Sequence, residues 1–283
     1  MSIKVFIETD MEGVAGILDH DDWCQPAGGQ YRGRYYDLGR AFLTREVNAA
    51  IDGLFEAGAD EVVVSDGHGA GGINPALLDR RAWLLRSSVG GWPGGLDRSF
   101  SAVIWIGQHA KAGTQLAHLA HTQWFNYLDQ TINNVSIGEL GEMALCAGEL
   151  GVPCIYASGD MALVREAQAL IPGIITTAVK HGLNPDHGAL LTTEQYMRAN
   201  LSAIHRQPEK AREMIYEGAR AALTKLKAQP QGWGLATLQP PYERVTRFRP
   251  DKPGDPYRID IARHATSVIG VMNAAWRPEP YQP

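Results

Sequence analysis

The chain has 283 residues, of which 45% are hydrophobic and 20% are charged, and its formal net charge is -5. This size and composition fit one large α/β domain or two unequal lobes, and the acidic balance argues against a nucleic-acid binder. No stretch approaches the roughly 18 apolar residues of a membrane span, and no long apolar signal segment stands at the N-terminus. Three scattered cysteines without CxxC spacing are typical of reduced thiols, so we expect a cytoplasmic protein.

Short apolar runs alternate with helical patterns through the first two thirds of the chain. Lys4–Thr9 is predicted to be a strand, and residues 38–57 carry apolar side chains at helical spacing, with Gly58 placed to end the helix. Further strands are predicted at residues 61–65, 82–86, 102–107, 152–157 and 174–180, and helices at Glu139–Leu150 and Met161–Leu170. This order predicts an α/β fold with a mostly parallel sheet and helices on both faces.

The last third of the chain has a different composition. Helices are predicted at residues 192–205 and 208–227, followed by a segment rich in Pro and Gly. Strands are then expected at residues 244–249 and 257–262, and a last helix at residues 264–276. We therefore predict a core at residues 1–190 and a smaller C-terminal α+β lobe at residues 191–283. Alternatively, both segments form one domain, and the second also contributes to an oligomer interface.

Three of the predicted strands end in residues that can bind metal ions. Asp10 and Glu12 follow the first strand, and Asp66 and His68 follow the second. His109 follows the strand that begins near residue 102. Ligands bind beyond the carboxyl ends of parallel strands, and residues two apart in an extended chain face the same side. Because a divalent cation relieves the repulsion between neighbouring carboxylates, and zinc accepts both carboxylates and imidazoles, the pattern predicts a metal site at these strand ends.

Each of these residues also has an ordinary structural explanation. A carboxylate pair at a strand end is commonly a turn or a helix cap, and His68 stands in a glycine-rich loop of the kind found on surfaces. His109 could bond a backbone carbonyl, and Glu139 at a helix start gains from the helix dipole without any metal. The glycines around His68 (GHGAGG) lack the GxGxxG spacing of a dinucleotide site, so no nucleotide cofactor is predicted.

Several short motifs in order resemble the M55 peptidase family, the D-aminopeptidases of the bacterial dipeptide-operon type. The motifs are DMEGVAG from Asp10, SDGH ending at His68, GQHA around His109, HT at His121, IGELG around Glu139, SGD at residues 158–160, ALIP ending at Pro172 and TTAVK ending at Lys180. The resemblance fades after about residue 190. It implies two zinc ions per subunit, with a bridging aspartate at Asp10, and the implied ligands are Asp10, Glu12, His68, His109 and Glu139.

The resemblance also implies a catalytic histidine, described as a nucleophile, soon after the second metal-binding histidine. We favour His121, because a hydroxyl residue follows it as in the family, but this choice requires a one-residue insertion. His118 therefore remains the rival. Asp66 is predicted either to orient a ligand histidine without binding the metal or to cap its loop.

The function that the resemblance implies is a metal-dependent aminopeptidase that releases N-terminal D-amino acids from short peptides or amino-acid amides. It also implies a homo-oligomer, which is a decamer in the family's typified member. The nearest alternative is an amide hydrolase on the same scaffold that acts on a non-peptide or cyclic amide. A metal-stabilised binding protein without catalysis is the other alternative, and it would have a closed coordination sphere with no position for water.

Overall fold

The computed structural model describes residues 2–86 and 90–282. Its strands are β1 Lys4–Thr9, β2 Glu61–Asp66, β3 Ala82–Leu85, β4 Ala102–Gln108, β5 Tyr127–Ile132, β6 Val135–Ser136, β7 Cys154–Asp160, β8 Ile175–Gly182, β9 Ala203–His205, β10 Tyr242–Phe248, β11 Tyr257–His264 and β12 Glu279–Tyr281. Its helices are α1 His20–Trp23, α2 Tyr36–Glu56, α3 Glu139–Leu150, α4 Met161–Leu170, α5 Thr193–Ala199, α6 Pro208–Ala228 and α7 Val268–Met272.

A seven-stranded sheet forms the centre of the molecule, in the order β3-β2-β1-β4-β7-β8-β9. All neighbouring strands in it are parallel except β8 and β9. Side chains alternate along β1, so that Val5 and Ile7 pack into one apolar cluster with α2 and α6, whereas Phe6 packs into another with α3 and α4. The predicted α/β fold with helices on both faces is therefore confirmed.

A second sheet is antiparallel and has the order β12-β11-β10-β5-β6. Its strands β5 and β6 were not predicted, because the sequence YLDQTI places polar residues such as Gln130 at buried positions and hides the apolar alternation. The sheet joins these strands to three strands from beyond residue 240. This sheet fits the smaller lobe that was expected, and the division at residue 190 stays a prediction.

Two predicted helices were partly wrong. The helix expected at residues 192–205 ends at Ala199, and residues 203–205 form β9 because they pair with the end of β8. The helix expected at residues 264–276 is only α7, since His264 pairs with Tyr242 as the last residue of β11 and the Ser267 side chain caps the helix start. In both cases a strand partner distant in sequence overrides the local helical pattern.

The end of α2 agrees with the prediction that Gly58 stops the helix. Gly58 has a φ of +92° and donates its N–H to the carbonyl of Phe55. A left-handed φ at a helix end favours glycine, which has no Cβ to clash. None of the helices within residues 2–86 and 90–282 combines the length and the apolar composition that crossing a bilayer demands.

Candidate metal centre

The carboxyl ends of β1, β2 and β4 lie side by side, because β1 pairs with both of the other strands. This arrangement brings Asp10 and Glu12 next to His68 on one side and His109 on the other. Glu139 joins them from the first residue of α3, and His121 joins them from the loop that leads from β4 to β5. The structure thus gathers these side chains, which are distant in sequence, at one edge of the central sheet.

Two glycines allow the chain to turn tightly at this edge. Gly107 has a φ of +75°, and a Cβ there would overlap the carbonyl oxygen of Asp10. A Cβ at Gly13 would overlap the carbonyl of Gln108, and the Gly13 N–H donates to the Gly107 carbonyl over 2.7 Å. Because only glycine permits such close backbone contact, these two positions keep the loop after β1 against the end of β4.

One group of potential ligands consists of Asp10, Glu12 and His68. The His68 Nδ1 atom lies 3.0 Å from Asp10 Oδ1 and 3.2 Å from Glu12 Oε2. On the other side of the ring, Nε2 is 2.6 Å from the carbonyl oxygen of Cys24 and therefore carries a proton. Nδ1 therefore faces the two carboxylates, and it would offer its lone pair to a metal ion bound between them.

The second group consists of His109, His121 and Glu139. His109 Nε2 lies 3.4 Å from Glu139 Oε1 and 3.0 Å from Asp10 Oδ2, and its Nδ1 donates to the Ala110 carbonyl over 2.9 Å. His121 Nδ1 lies 2.8 Å from the Leu119 carbonyl oxygen, and its Nε2 lies 3.9 Å from Glu139 Oε1. The two imidazole rings stack with their centroids 3.8 Å apart.

Asp10 connects the two groups, since Oδ1 faces His68 and Oδ2 faces His109. Two ligands about 2.0–2.1 Å from one tetrahedral zinc ion are about 3.3 Å apart, and the separations around Asp10 are of this size. Glu12 Oε2 and His109 Nε2 are buried without a hydrogen-bond partner. The 3.0 Å contact between His109 and Asp10 therefore lacks hydrogen-bond geometry, as expected of two ligands aimed at one cation. The residues present fit a pair of zinc ions.

The electrostatics of the cluster also favour positive charge. Burial lowers the pKa of His68 and His109, but the facing carboxylates more than reverse this, so both pKa values lie well above the usual value. Burial raises the pKa of Glu139, but His109 and His121 bring this pKa down to about 2. The field that holds protons on these imidazoles would favour a metal cation between the rings and the carboxylates.

His121 behaves differently from the other two imidazoles. Burial, together with the neighbouring His109, lowers the pKa of His121, and the carboxylates only partly offset this. Its ring is therefore neutral at neutral pH, with the proton on Nδ1 and the lone pair on Nε2. A neutral imidazole of this kind can accept a proton or attack a carbonyl.

His118, the rival candidate, belongs to neither group of potential metal ligands. Its ring Nε2 bonds the carbonyl of Leu18 over 3.2 Å, and its backbone N–H donates to Asp160 Oδ2 over 2.9 Å. Its ring packs edge-on against His205, with the centroids 5.2 Å apart. Burial lowers the pKa of His118 to about 2, so this buried ring is uncharged at neutral pH.

Asp66 contacts its own loop and not the ring of His68. Its Oδ1 accepts the Gly72 N–H over 2.7 Å, and its Oδ2 lies 3.4 Å from Arg86 Nη1. These contacts correspond to the loop cap, which is one of the two roles that the sequence left open for Asp66.

Sequence reasoning missed three residues that touch the cluster. Gln108 Nε2 donates to Asp10 Oδ2 over 3.0 Å, and it stands in the GQHA motif immediately before His109, which is a usable signal. The His20 Nε2 atom lies 3.8 Å from Glu12 Oε1, and the Gln123 N–H donates to Glu139 Oε1 over 2.6 Å. Neither His20 nor Gln123 belongs to a recognisable pattern, because the short helix α1 carries His20 and the loop between β4 and β5 carries Gln123.

A cavity of about 500 Å³ opens onto the two groups of ligands. Its apolar lining includes Leu85, Trp92, Trp124 and Met143, and its polar lining includes Asp10, Glu12, His68, His121 and Glu139. A volume of this order accommodates a small molecule, and apolar walls around a few converging polar groups are typical of ligand sites.

Comparison with known proteins gives the family of the chain. Residues 3–255 match the sequence profile of the M55 peptidase family, which is described as D-aminopeptidase. The chain belongs to this family. The resemblance inferred from the short motifs is therefore confirmed, and the match extends well past residue 190, where the motifs had faded.

The chain is also similar to one named protein in sequence and to one solved structure in fold. The chain is 33% identical over 187 residues to a D-aminopeptidase of Bacillus subtilis strain 168, an alignment that covers 64% of this chain and 65% of the relative. It thus spans slightly less than two thirds of that relative's length. It also superposes with a TM-score of 0.76 on the structure of "Zn-dependent D-aminopeptidase DppA from Bacillus subtilis, a self-compartmentalizing protease". The sequence identity is 24%, and 95% of this chain and 94% of the other are covered, so the likeness establishes the fold.

Proposed function

We propose that this chain is a zinc-dependent aminopeptidase that holds two zinc ions and releases N-terminal D-amino acids from short peptides or amino-acid amides. The observation that carries this proposal is the shared pattern of three imidazoles. His68, His109 and His121 each give one N–H to a backbone carbonyl and turn the other nitrogen toward carboxylates. This is how proteins orient histidines that act at metal ions. Membership of the M55 family, and relatives named as D-aminopeptidases, support the peptidase assignment.

Asp10 would bridge the two ions. Glu12 and His68 would complete one position, and His109 and Glu139 would complete the other. When bound, zinc supplies Lewis-acid chemistry that activates water and polarises an amide carbonyl. Among the residues around it, Gln108 orients Asp10 by donating to Oδ2, so that the other oxygen of Asp10 stays turned toward His68.

His121 is the proposed catalytic group. Its Nδ1 proton is held by the Leu119 carbonyl, which leaves Nε2 with a free lone pair, and His121 lines the cavity. We assign to Nε2 the transfer of a proton to the departing amine, because a neutral imidazole can take a proton from the attacking water and release it to the amine nitrogen as the C–N bond breaks. Direct attack by the same atom, which the resemblance implies, uses the same lone pair and the same orientation.

We also propose that the chain forms a homo-oligomer. The protein it superposes on is described as a self-compartmentalizing protease, which supports an assembled state here. The decameric stoichiometry, the contribution of residues 191–283 to an interface and the cytoplasmic location all stay predictions.

A substrate panel tests the proposed activity. The metal-stripped protein is reconstituted with zinc and assayed on D- and L-alaninamide, D- and L-dipeptides and a cyclic amide such as dihydrouracil. We expect zinc-dependent release of the N-terminal D-residue and loss of that activity with a chelator, while magnesium reconstitution serves as the control. Zinc-dependent opening of the cyclic amide alone would favour the alternative amide hydrolase. No turnover of any substrate by zinc-loaded protein would contradict the aminopeptidase assignment.

A further inference from the structure

Gln123 has a backbone conformation that needs an explanation. It follows His121 by two residues and has a φ of +58°, in the left-handed region that residues with a Cβ rarely adopt. Such a conformation is strained, and it persists when surrounding contacts enforce it. The hydrogen bonds of Gln123 therefore indicate which interactions enforce this conformation.

The backbone amide and the side-chain amide of Gln123 each donate a hydrogen bond to a carboxylate of α3. The backbone N–H donates to Glu139 Oε1 over 2.6 Å, and the side-chain Nε2 donates to Glu142 Oε2 over 2.7 Å. Residues three apart on a helix face the same side, so the carboxylates of Glu139 and Glu142 both meet this loop. Glu142 is only 1% exposed, which makes its hydrogen bonds costly to lose.

The second carboxylate oxygen of Glu142, Oε1, accepts a hydrogen bond from the second sheet. Gln130 on β5 donates its Nε2 to Glu142 Oε1, and its Oε1 accepts the hydroxyl of Thr246 on β10 over 2.9 Å. Gln130 and Thr246 are almost fully buried. A continuous series of hydrogen bonds thus runs from the C-terminal part of the chain to the carboxylate of Glu139.

We propose that Glu142 and Gln123 are positioning residues of the metal centre, and that the second sheet acts on the centre through them. The N–H of Gln123 would hold Oε1 of Glu139 toward His109, and the amide of Gln123 stays in place because Glu142 accepts from it. This inference rests on the proposed function, since it treats Glu139 as a zinc ligand. Residues that orient metal ligands commonly contribute about 10–100-fold to metal affinity.

A pair of substitutions separates this role from simple packing. Gln123→Glu puts a carboxylate opposite Glu142, so the two repel and the loop loses its anchor. Adding Glu142→Gln reverses donor and acceptor, because the new amide can donate to the new carboxylate and still accept from Gln130. Both variants retain the sizes of the side chains, so a packing role alone does not predict loss followed by rescue.

The readouts are zinc affinity, measured by competition with a chromophoric chelator, and the visible spectrum of the cobalt-substituted protein. We expect Gln123→Glu to weaken zinc binding about tenfold or more and to shift the cobalt bands, and the double variant to recover both. Ser136→Ala serves as the control, because it breaks a bond to Asp129 in the same sheet without touching Glu142. Thermal unfolding of the metal-free proteins checks the fold, and Gln123→Leu replaces Gln123→Glu if the latter does not fold.

Unchanged zinc affinity in a folded Gln123→Glu or Gln123→Leu protein would overturn the positioning role. A double variant that folds but binds zinc as weakly as the single variant would also overturn it. These outcomes differ from a failure of the proposed function, in which the wild-type protein itself would not bind zinc at this site.

Discussion

Asp10→Ala is expected to remove both zinc ions and to lower kcat by roughly 10³-fold or more. Asp10 faces both groups of ligands, with Oδ1 3.0 Å from His68 Nδ1 and Oδ2 3.0 Å from His109 Nε2. Without it, each position keeps fewer ligands than zinc requires, and the several kcal/mol that a Lewis acid contributes to the transition state are lost. Metal content by elemental analysis and turnover on the best D-aminoacyl substrate measure the effect.

A comparison with Glu12→Ala makes this test specific. Glu12 approaches only the group that contains His68, so its removal should release one ion and leave the other. Asp37→Ala, which removes a carboxylate that is exposed at the start of α2, should leave metal content and kcat unchanged. Full metal content and activity in Asp10→Ala would contradict the arrangement proposed here.

His121→Ala is expected to keep both zinc ions and to lower kcat by about 10²–10⁴-fold, with a small change in KM. The proposed ligands of the metal ions are complete without His121, whereas the proton transfer assigned to its Nε2 depends on it. Rapid-quench or steady-state kinetics, together with elemental analysis of the same preparation, separate the loss of chemistry from the loss of metal.

His118→Ala is the matched comparison for this prediction. His118 lies three residues before His121 in the sequence and is also buried. Its ring, however, bonds the carbonyl of Leu18 and packs on His205. Its loss should lower thermal stability and leave kcat close to the wild-type value. If His118→Ala lost turnover while retaining zinc, and His121→Ala did not, the assignment of the catalytic histidine would be reversed.

The parallel core could be predicted because its strands carry local signals. Runs such as KVFIET and AVIWIG are short, apolar and followed by polar residues, and each predicted strand of the core has its counterpart in the central sheet. The convergence of Asp10, His68 and His109 also followed from the sequence, since parallel strands deliver their carboxyl ends to one edge. The local pattern and the topology agree in this part of the chain.

Other features depend on contacts that no local pattern contains. Residues 203–205 form β9 only because β8 offers them an edge, and YLDQTI forms β5 with polar residues buried against Glu142 and Thr246. His20 reaches the metal centre from the four-residue helix α1, and Gln123 reaches it from the loop between β4 and β5, where its N–H donates to Glu139. Sequence reasoning therefore identified the proposed metal ligands but not the residues that surround and orient them.

Anomalous diffraction can locate the two cations that Asp10, Glu12, His68, His109 and Glu139 are proposed to share. Crystals of the zinc-reconstituted protein, with data collected on both sides of the zinc absorption edge, should show two peaks per chain, one on each side of the Asp10 carboxylate. Peaks located elsewhere, or no anomalous density between these side chains in protein that has bound zinc, would contradict the proposed metal centre.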